Sequence, residues 1–352
     1  MAVSSINVKE TMLPKIKVGI ATVVIVGLTA FGQTASAVTT SFGTQGSGNG
    51  QFINPYGVAV DSSGNVYVAD QDNQRIVKFN SSSFTTSFTS FSNGQLSSPQ
   101  GIAVDTNGNV FVADSGNNSI VEYNPTSSTF TSFGSLGSGS GQFNDPVGVA
   151  VANGIVYVAD GINNRIVEFN PSNFTTSFTS FGTSGSGNGQ FSTPQGVAVD
   201  ASGNIFVADS GNNRIVEYNP TSSTYTSFGS LGSTSGQFND PFGVAVANGN
   251  VYVADYLNNR LDVFNSSNFG TFNSFNSPNA PVGGTFFAPS SVAVDASGNI
   301  YAADPSNSRI VELVSSGSTP ALAPVPEPSE VLGILALGFL GLSSRFRRSN
   351  PG

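Results

Sequence analysis

One motif returns six times along this chain, and its period limits the folds that the chain can adopt. Each copy has a proline, then Gly-Val-Ala-Val-Asp or a close variant, then Val-Tyr-Val-Ala-Asp or its like, and then a Thr-, Ser- and Phe-rich run. Successive copies are 44 to 48 residues apart. They open at Pro55, Pro99, Pro146, Pro194, Pro241 and Pro289. Several short strands in a repeat of this length predict blades arranged around a central axis.

The fourth copy illustrates how one repeat forms one blade. Residues 196–200 alternate small and apolar side chains, as expected for a strand near a crowded centre. A tight turn with Gly203 follows. The next three strands are predicted at residues 205–209, 214–219 and 224–228. Four antiparallel strands make a blade, and residues 229–241 lead to the next one.

The repeat resembles the NHL repeat family, whose pattern G-x-F-x-x-P-x-G-V-A-V-D-x-x-G-x-x-Y-V-A-D-x-x-N-x-R-I is matched nearly letter for letter by residues 189–215. All six copies carry this pattern. The resemblance implies an all-β fold, a six-bladed β-propeller of four-stranded antiparallel blades. Members of the family usually serve as platforms for binding.

The two ends of the repeat array indicate how the ring closes. The sixth copy stops at Leu313 without a Phe-rich fourth strand, whereas residues 39–43 form such a strand before the first copy. We therefore expect the N-terminal strand to complete the last blade. Closure of this kind removes the exposed edges of an open array.

Residues 1–37 are predicted to be a signal peptide. Three lysines (Lys9, Lys15 and Lys17) precede an apolar run at residues 18–31, and Ala35-Ser36-Ala37 offers small residues for signal peptidase. A permanent signal anchor is the alternative. The propeller then occupies residues 38–314.

The C-terminal segment predicts a second sorting step. After a linker at residues 315–324, residues 325–348 contain Pro326-Glu327-Pro328, an apolar stretch at 331–342, and the basic residues Arg345, Arg347 and Arg348. This segment resembles the PEP-CTERM sorting signal, which implies processing by an exosortase-type enzyme during export. The alternative is a plain transmembrane tail anchor. Both predict transient or permanent membrane contact and a location on the bacterial envelope, the outer surface or in an extracellular or biofilm matrix.

Composition excludes several classes of site. The chain has no cysteine, histidine or tryptophan, so it cannot form disulfides or use a thiolate, an imidazole base or a His/Cys metal site. Its net charge is −9, and would be −11 without residues 1–37. An acidic surface repels phosphate backbones, so no nucleic-acid partner is expected.

Each second strand closes with an aspartate, and in five copies an arginine follows five residues later. A ring of carboxylates is one type of calcium site. A single metal ion would need only one such site, but the Asp/Arg pair recurs in nearly every blade. We therefore favour a structural brace for the turn and expect no metal and no cofactor. The set comprises Asp70, Asp114, Asp160, Asp209, Asp255 and Asp304 with Arg75, Arg165, Arg214, Arg260 and Arg309; Ser119 replaces the arginine in the second copy.

An enzyme is the less favoured interpretation. Related six-bladed folds include lyases with His-bound zinc, which this composition excludes, and gluconolactonase-type hydrolases with a metal held by Glu, Asn and Asp. The four propeller glutamates, Glu122, Glu168, Glu217 and Glu312, share one position of the repeat, which indicates a structural role. Residues 99–181 and 194–275 are also near-copies of each other. We therefore predict no catalytic residues, and keep a metal-dependent hydrolase or lyase as the alternative.

The links between blades and the turns between second and third strands should lie on one face, and their variable residues are the predicted ligand site. Exposed aromatic rings beside amides suit a sugar or a peptide. The site residues are Tyr56, Gln100, Gln195, Phe242, Tyr256 and Leu257. The competing interpretation is that these aromatic rings pack against adjacent links. We thus expect an exported scaffold for extracellular polysaccharide or protein, or else a structural matrix protein without a discrete ligand.

Overall fold

The computed structural model describes residues 21–25, 38–92, 94–269, 272–275 and 286–314. Within these ranges the chain folds into six antiparallel sheets, which are the blades of a β-propeller. The predicted all-β six-bladed fold is confirmed. The predicted sorting tail lies outside the described residues. Of residues 1–37, only the strand Ala21–Ile25 is described.

Each of the first five blades has four strands in chain order from the central axis outward. The strands of blade 1 are Pro55–Val60, Asn65–Asp70, Arg75–Asn80 and Thr89–Phe91. Those of blade 2 are Pro99–Val104, Val110–Asp114, Ser119–Asn124 and Thr129–Phe133. Those of blade 3 are Pro146–Ala152, Ile155–Asp160, Arg165–Phe169 and Thr179–Phe181. Those of blade 4 are Pro194–Val199, Ile205–Asp209, Arg214–Asn219 and Thr224–Phe228. Those of blade 5 are Pro241–Ala247, Asn250–Asp255, Arg260–Asn265 and Phe272–Phe275.

Blade 6 is built from both ends of the array, which confirms the predicted closure. Its first three strands are Ser291–Val294, Ile300–Asp304 and Arg309–Val314. Val38–Phe42 pairs antiparallel with Arg309–Val314, with Phe42 opposite Ile310. Ala21–Ile25, from the segment predicted to be the signal peptide, pairs with the outer side of Val38–Phe42 as a fifth strand.

Short helical turns interrupt the Thr- and Ser-rich runs of blades 1 and 3, where only strand was expected. A 3-10 turn and one α-helical turn precede the fourth strand, at Ser81–Ser83 with Phe84–Ser87 and at Pro171–Asn173 with Phe174–Ser177. The Asn80 side chain accepts a hydrogen bond from Ser82 N and so caps the first of these turns. Three further 3-10 turns join second to third strands, at Ser115–Asn117, Ser210–Asn212 and Pro305–Asn307.

The hydrophobic core lies between neighbouring blades as six separate clusters. Between blades 6 and 1, Phe42, Phe52 and Phe79 are buried together. The Phe52 ring lies beneath Gly43, where an added Cβ would come within 2.3 Å of it. Since Gly43 also has a φ of +102°, no other residue fits this position without strain.

The central strands pack so closely that the second residue after the proline is glycine in five blades. A Cβ on Gly57 would lie 2.1 Å from the backbone oxygen of Gln100 in the next blade. In blade 6 this position is Ser291, whose Oγ accepts a hydrogen bond from Val58 N at 3.2 Å. At this position the seam between the last and first blades therefore has a side-chain hydrogen bond, whereas the other blades have a glycine there.

None of the helices in the described part of the chain has the length and hydropathy needed to span a bilayer. The predicted tail segment, residues 331–342, lies outside that part.

Candidate binding site at the channel mouth

The six central strands enclose a channel of about 240 Å³. Its wall is made by five consecutive residues of each central strand, such as residues 56–60 and 100–104, and all of its lining side chains are apolar or uncharged. Each strand contributes first the residue after the proline and then glycine or serine, valine or isoleucine, alanine, and valine. The residue after the proline therefore forms the mouth, at the end where the links between blades enter.

The mouth alternates between apolar and polar residues around the ring. Blades 1, 3 and 5 contribute Tyr56, Val147 and Phe242, whereas blades 2, 4 and 6 contribute Gln100, Gln195 and Ser290. Val147 and Ser290 are buried and the others are half-buried. The structure thus brings four of the predicted ligand residues, Tyr56, Gln100, Gln195 and Phe242, to one opening.

Three aromatic rings meet on one side of this mouth. The Tyr56 and Phe242 rings are 5.8 Å apart between centroids, edge to face at 74°, although blade 6 separates their own blades. Tyr256 lies 4.6 Å from Phe242. Beneath them, Ser290 Oγ donates a hydrogen bond of 2.6 Å to the backbone oxygen of Tyr56. These contacts join rings from blades 1 and 5 across the opening.

Leu257 lies apart from the other predicted ligand residues. Its side chain is 53% exposed and is not among those lining the channel. Its backbone N–H donates to Asn239 O, which places it on the outer surface of the same face.

Acidic groups surround the aromatic rings. Burial raises the pKa of the Tyr56 hydroxyl, and the neighbouring Tyr256, Asp240 and Asp145 raise it further, so Tyr56 remains a hydrogen-bond donor. Burial also raises the pKa of Asp145 and of Asp240. The mouth can therefore stack on a ligand and exchange hydrogen bonds with it, and its electrostatic potential disfavours anions.

The recurring aspartates bind the turn and the arginine of their own blade. In blade 4, Asp209 is fully buried, and its Oδ2 accepts from Arg214 Nε at 2.8 Å and from Asn212 Nδ2 at 2.9 Å. Its Oδ1 accepts from Ser192 N at 2.7 Å. Equivalent Asp–Arg bridges of 2.7 to 3.0 Å occur in blades 1, 3, 5 and 6.

The same arginines also hold the links between blades. Arg214 donates to Ser186 O at 2.7 Å and to Gln190 O at 2.9 Å, both in the link that enters blade 4. Arg75, Arg165 and Arg260 make the same pair of bonds to their links. The Asp–Arg pair therefore fastens the Gly-rich link to the blade, a role that sequence spacing alone did not indicate.

Metal-binding groups are not concentrated anywhere in the described ranges. There, no three or more Asp, Glu, His or Cys side chains are close enough together to hold a metal ion. Asp114, which has no arginine, keeps the other two bonds that Asp209 makes: it accepts from Ser97 N at 2.7 Å and from Asn117 Nδ2 at 2.8 Å.

Sequence reasoning missed several exposed apolar residues on this face. Phe287 is 58% exposed and Leu231 64% exposed. Ala288 N donates to Asn259 Oδ1, so Phe287 lies beside the turn that carries Tyr256 and Leu257. A signal was available, because Phe287 stands where the other copies have Ile, Ser or Asn.

Comparison with known families identifies the repeat. The NHL repeat model matches residues 52–79, 96–123, 143–169, 191–218 and 238–264, one segment in each of blades 1 to 5. The chain carries NHL repeats. The sixth copy, which was expected to show the pattern too, is not among the matched segments; its central strand has Ser290-Ser291 in place of the usual x-Gly.

Several solved structures are similar to this NHL propeller in fold. One is a catalytically inactive virginiamycin B lyase from Staphylococcus aureus with quinupristin, with a TM-score of 0.56, 16% identity, and coverage of 80% of this chain and 87% of that one. A gluconolactonase from Xanthomonas campestris has a TM-score of 0.59, 13% identity, and coverage of 80% and 90%. An auxiliary nutrient binding protein from Bacteroides thetaiotaomicron has a TM-score of 0.60, 13% identity, and coverage of 79% and 76%. No curated protein matches the sequence.

Proposed function

We propose that this protein is an exported NHL propeller that binds extracellular polysaccharide or protein at the mouth of its channel. The observation that carries the proposal is the meeting of Tyr56, Phe242 and Tyr256 at one opening beside Gln100 and Gln195. Aromatic faces beside amide groups offer both stacking and hydrogen bonds, which neutral sugars and peptides use.

The size of the channel decides how a ligand would bind. At about 240 Å³ it is smaller than the roughly 300 to 1,000 Å³ of sites that enclose a small molecule. We therefore place the ligand across the mouth, with one unit of a polymer against the aromatic rings. This arrangement suits a long polysaccharide or an extended peptide.

A hydrolase or lyase is the weaker alternative. The propeller fold itself serves both roles, since its structural neighbours include a lyase, a gluconolactonase and a nutrient binding protein. However, the inactive form of the lyase has one histidine replaced by alanine, and this chain has no histidine. The channel lining also offers no charged side chain as acid or base.

The location is proposed from the two ends of the chain. Residues 1–37 would direct export through signal peptidase, and residues 325–348 would be processed by an exosortase-type enzyme. Mass spectrometry of the protein from its producing cell tests this. An intact Arg345–Arg348 cluster on surface material would exclude exosortase processing.

The ligand is tested with residues 38–314, within which all six blades close, on arrays of glycans and peptides. Replacing Phe242 and Tyr256 by alanine should weaken binding of any captured ligand at least about tenfold, because buried aromatic contacts dominate such interfaces. Leu231→Ala is the matched control, since Leu231 is exposed on the same face but does not line the channel. If neither array yields a ligand, the structural matrix role becomes the better explanation.

A further inference from the structure

A second cavity, of about 330 Å³, lies on the side of the propeller between blades 1 and 2. It is within the range of small-molecule sites. Its lining residues are Tyr67, Lys78, Thr89, Ser90, Phe91, Gly108, Val110, Tyr123 and Pro125. We call this cavity the side groove; it shares no residue with the channel mouth.

Lys78 is the distinctive residue of the side groove. Within the described ranges the chain has six basic side chains; the other five are the arginines that bridge to aspartates. No described carboxylate lies within salt-bridge distance of Lys78, and its ammonium group sits 5.1 Å from the centre of the Tyr67 ring. At the same position of the repeat the other blades have Glu122, Glu168, Glu217, Val263 and Glu312.

Asp61, which is hydrogen-bonded to the lining residue Tyr67, has its carboxylate oxygens occupied by other groups. Asp61 Oδ2 accepts from the Tyr67 hydroxyl at 3.1 Å and from Asn65 Nδ2 at 2.8 Å, and its Oδ1 accepts from Ser63 N and Asn65 N, both at 2.9 Å. The Thr89 hydroxyl donates to the backbone oxygen of Lys78. The Lys78 ammonium group is thus held over an aromatic ring with its charge available to a ligand.

The groove wall combines apolar rings with hydroxyl groups. The Phe91 and Tyr123 rings stack at 4.4 Å, and the Tyr123 and Phe130 rings are 4.8 Å apart. Thr89, Ser90 and Pro125 are exposed at the rim. A sugar ring presents the matching surface, with C–H groups for the apolar wall and hydroxyls for the rim.

We propose that the side groove binds an acidic sugar unit, a uronic acid of a polysaccharide, whose carboxylate pairs with Lys78. A charge-assisted hydrogen bond from the ammonium group selects the carboxylate, and the aromatic wall selects a sugar ring over a bare anion. The side groove does not depend on the channel mouth, so either site can fail without the other.

The chain contains its own control for this site. Between blades 3 and 4, seven of the nine lining residues recur unchanged at equivalent positions: Tyr157, Thr179, Ser180, Phe181, Gly203, Tyr218 and Pro220. Phe181 and Tyr218 pack at 4.6 Å, much like Phe91 and Tyr123. Ile205 replaces Val110, and Glu168 replaces Lys78. Glu168 accepts a hydrogen bond from Thr179 Oγ1. The second groove therefore has nearly the same wall with the opposite charge.

The test is calorimetric titration of the full-length protein at low salt with tetragalacturonate. Its neutral methyl ester and tetraglutamate are the comparison ligands. Wild type should bind one tetragalacturonate per chain and neither comparison ligand. Lys78→Glu should lower the affinity at least about tenfold, whereas Lys78→Arg should keep it within about threefold. Glu168→Lys should add a second site.

Lys78→Glu should fold, because glutamate occupies the same position in other blades; its melting curve checks this. The proposal is overturned if wild type does not bind tetragalacturonate, if the methyl ester binds as well, or if Lys78→Glu binds like wild type. Equal binding of tetraglutamate would overturn the sugar assignment.

Discussion

Blades 2 and 4 are near-copies in sequence, yet only blade 4 has the complete Asp–Arg brace. The difference lies in the link that precedes each blade. The link to blade 4 contains the Gly-rich segment whose backbone oxygens, on Ser186 and Gln190, bind Arg214. The link to blade 2 is shorter, and Ser119 stands in place of the arginine. We infer that the arginine is present because the longer link requires it, while the aspartate alone suffices for the turn.

Replacing the brace aspartate by alanine should destabilise blade 4 more than blade 2. Asp209→Ala leaves Arg214 without its carboxylate in a nearly buried site and also frees Ser192 N and Asn212. We expect a loss of about 3 kcal/mol, as for one partner of a buried ion pair. Asp114→Ala removes two hydrogen bonds but no ion pair, so we expect a loss of about 1 to 2 kcal/mol. Chemical denaturation of both variants measures the difference.

Equal losses would mean that the arginine adds nothing to the aspartate. A gain in wild-type stability with calcium that disappears in Asp209→Ala would instead support the calcium alternative.

Blade 5 differs from blades 2 and 4 because a second carboxylate shares its arginine. Arg260 Nε lies 3.0 Å from Asp255 and 3.0 Å from Asp262. Ser274 Oγ donates to Asp262 at 2.5 Å. At the position of Asp262 the other blades have valine, as at Val77 and Val216. Burial raises the pKa of Asp262 to about 8, against its ordinary value of 3.8.

This raised pKa predicts a pH dependence of stability. The folded protein keeps the Asp262 proton up to about pH 8, whereas the unfolded chain loses it near pH 4. The folded state binds the extra proton between these values, so the free energy of unfolding falls as pH rises from about 4 to about 8. Asp262→Val should flatten this slope and stabilise the protein at pH 8 by about 1 to 2 kcal/mol. Unfolding curves at pH 5 and pH 8 test it; an identical slope in the variant would contradict it.

The repeat made most of the fold predictable because each blade is encoded locally. The strands at 205–209, 214–219 and 224–228 begin and end at the predicted residues. The closing strand, Val38–Phe42, begins one residue before the predicted range of 39–43. Contacts that depend on closure of the ring could not be read from one repeat. Tyr56 meets Phe242 only because blades 1 and 5 converge at the axis.

Positions at which one blade differs from the others are not predicted by the repeat pattern. Lys78, Asp262 and Ser291 each replace a residue that recurs in the other blades. A pattern that describes all the blades together omits such residues. Their roles depend on their contacts in the folded chain: Lys78 lies over an aromatic ring, Asp262 shares an arginine, and Ser291 lies beside the first blade.

The smallest expected effect is that of supplying the missing arginine in blade 2. Ser119→Arg would place a guanidinium beside Asp114, but the short link offers no counterpart to the Ser186 and Gln190 oxygens that bind Arg214. Ser119 is also buried, so a long cation must be accommodated where a small hydroxyl now lies. The gain from one ion pair is then offset by incomplete hydrogen bonding, and we expect a change within about 1 kcal/mol, without net stabilisation. Denaturation beside wild type measures it, with Ser119→Ala as the control for loss of the hydroxyl. A clear gain in stability would show that the arginine strengthens the turn by itself, and that the link is not what requires it.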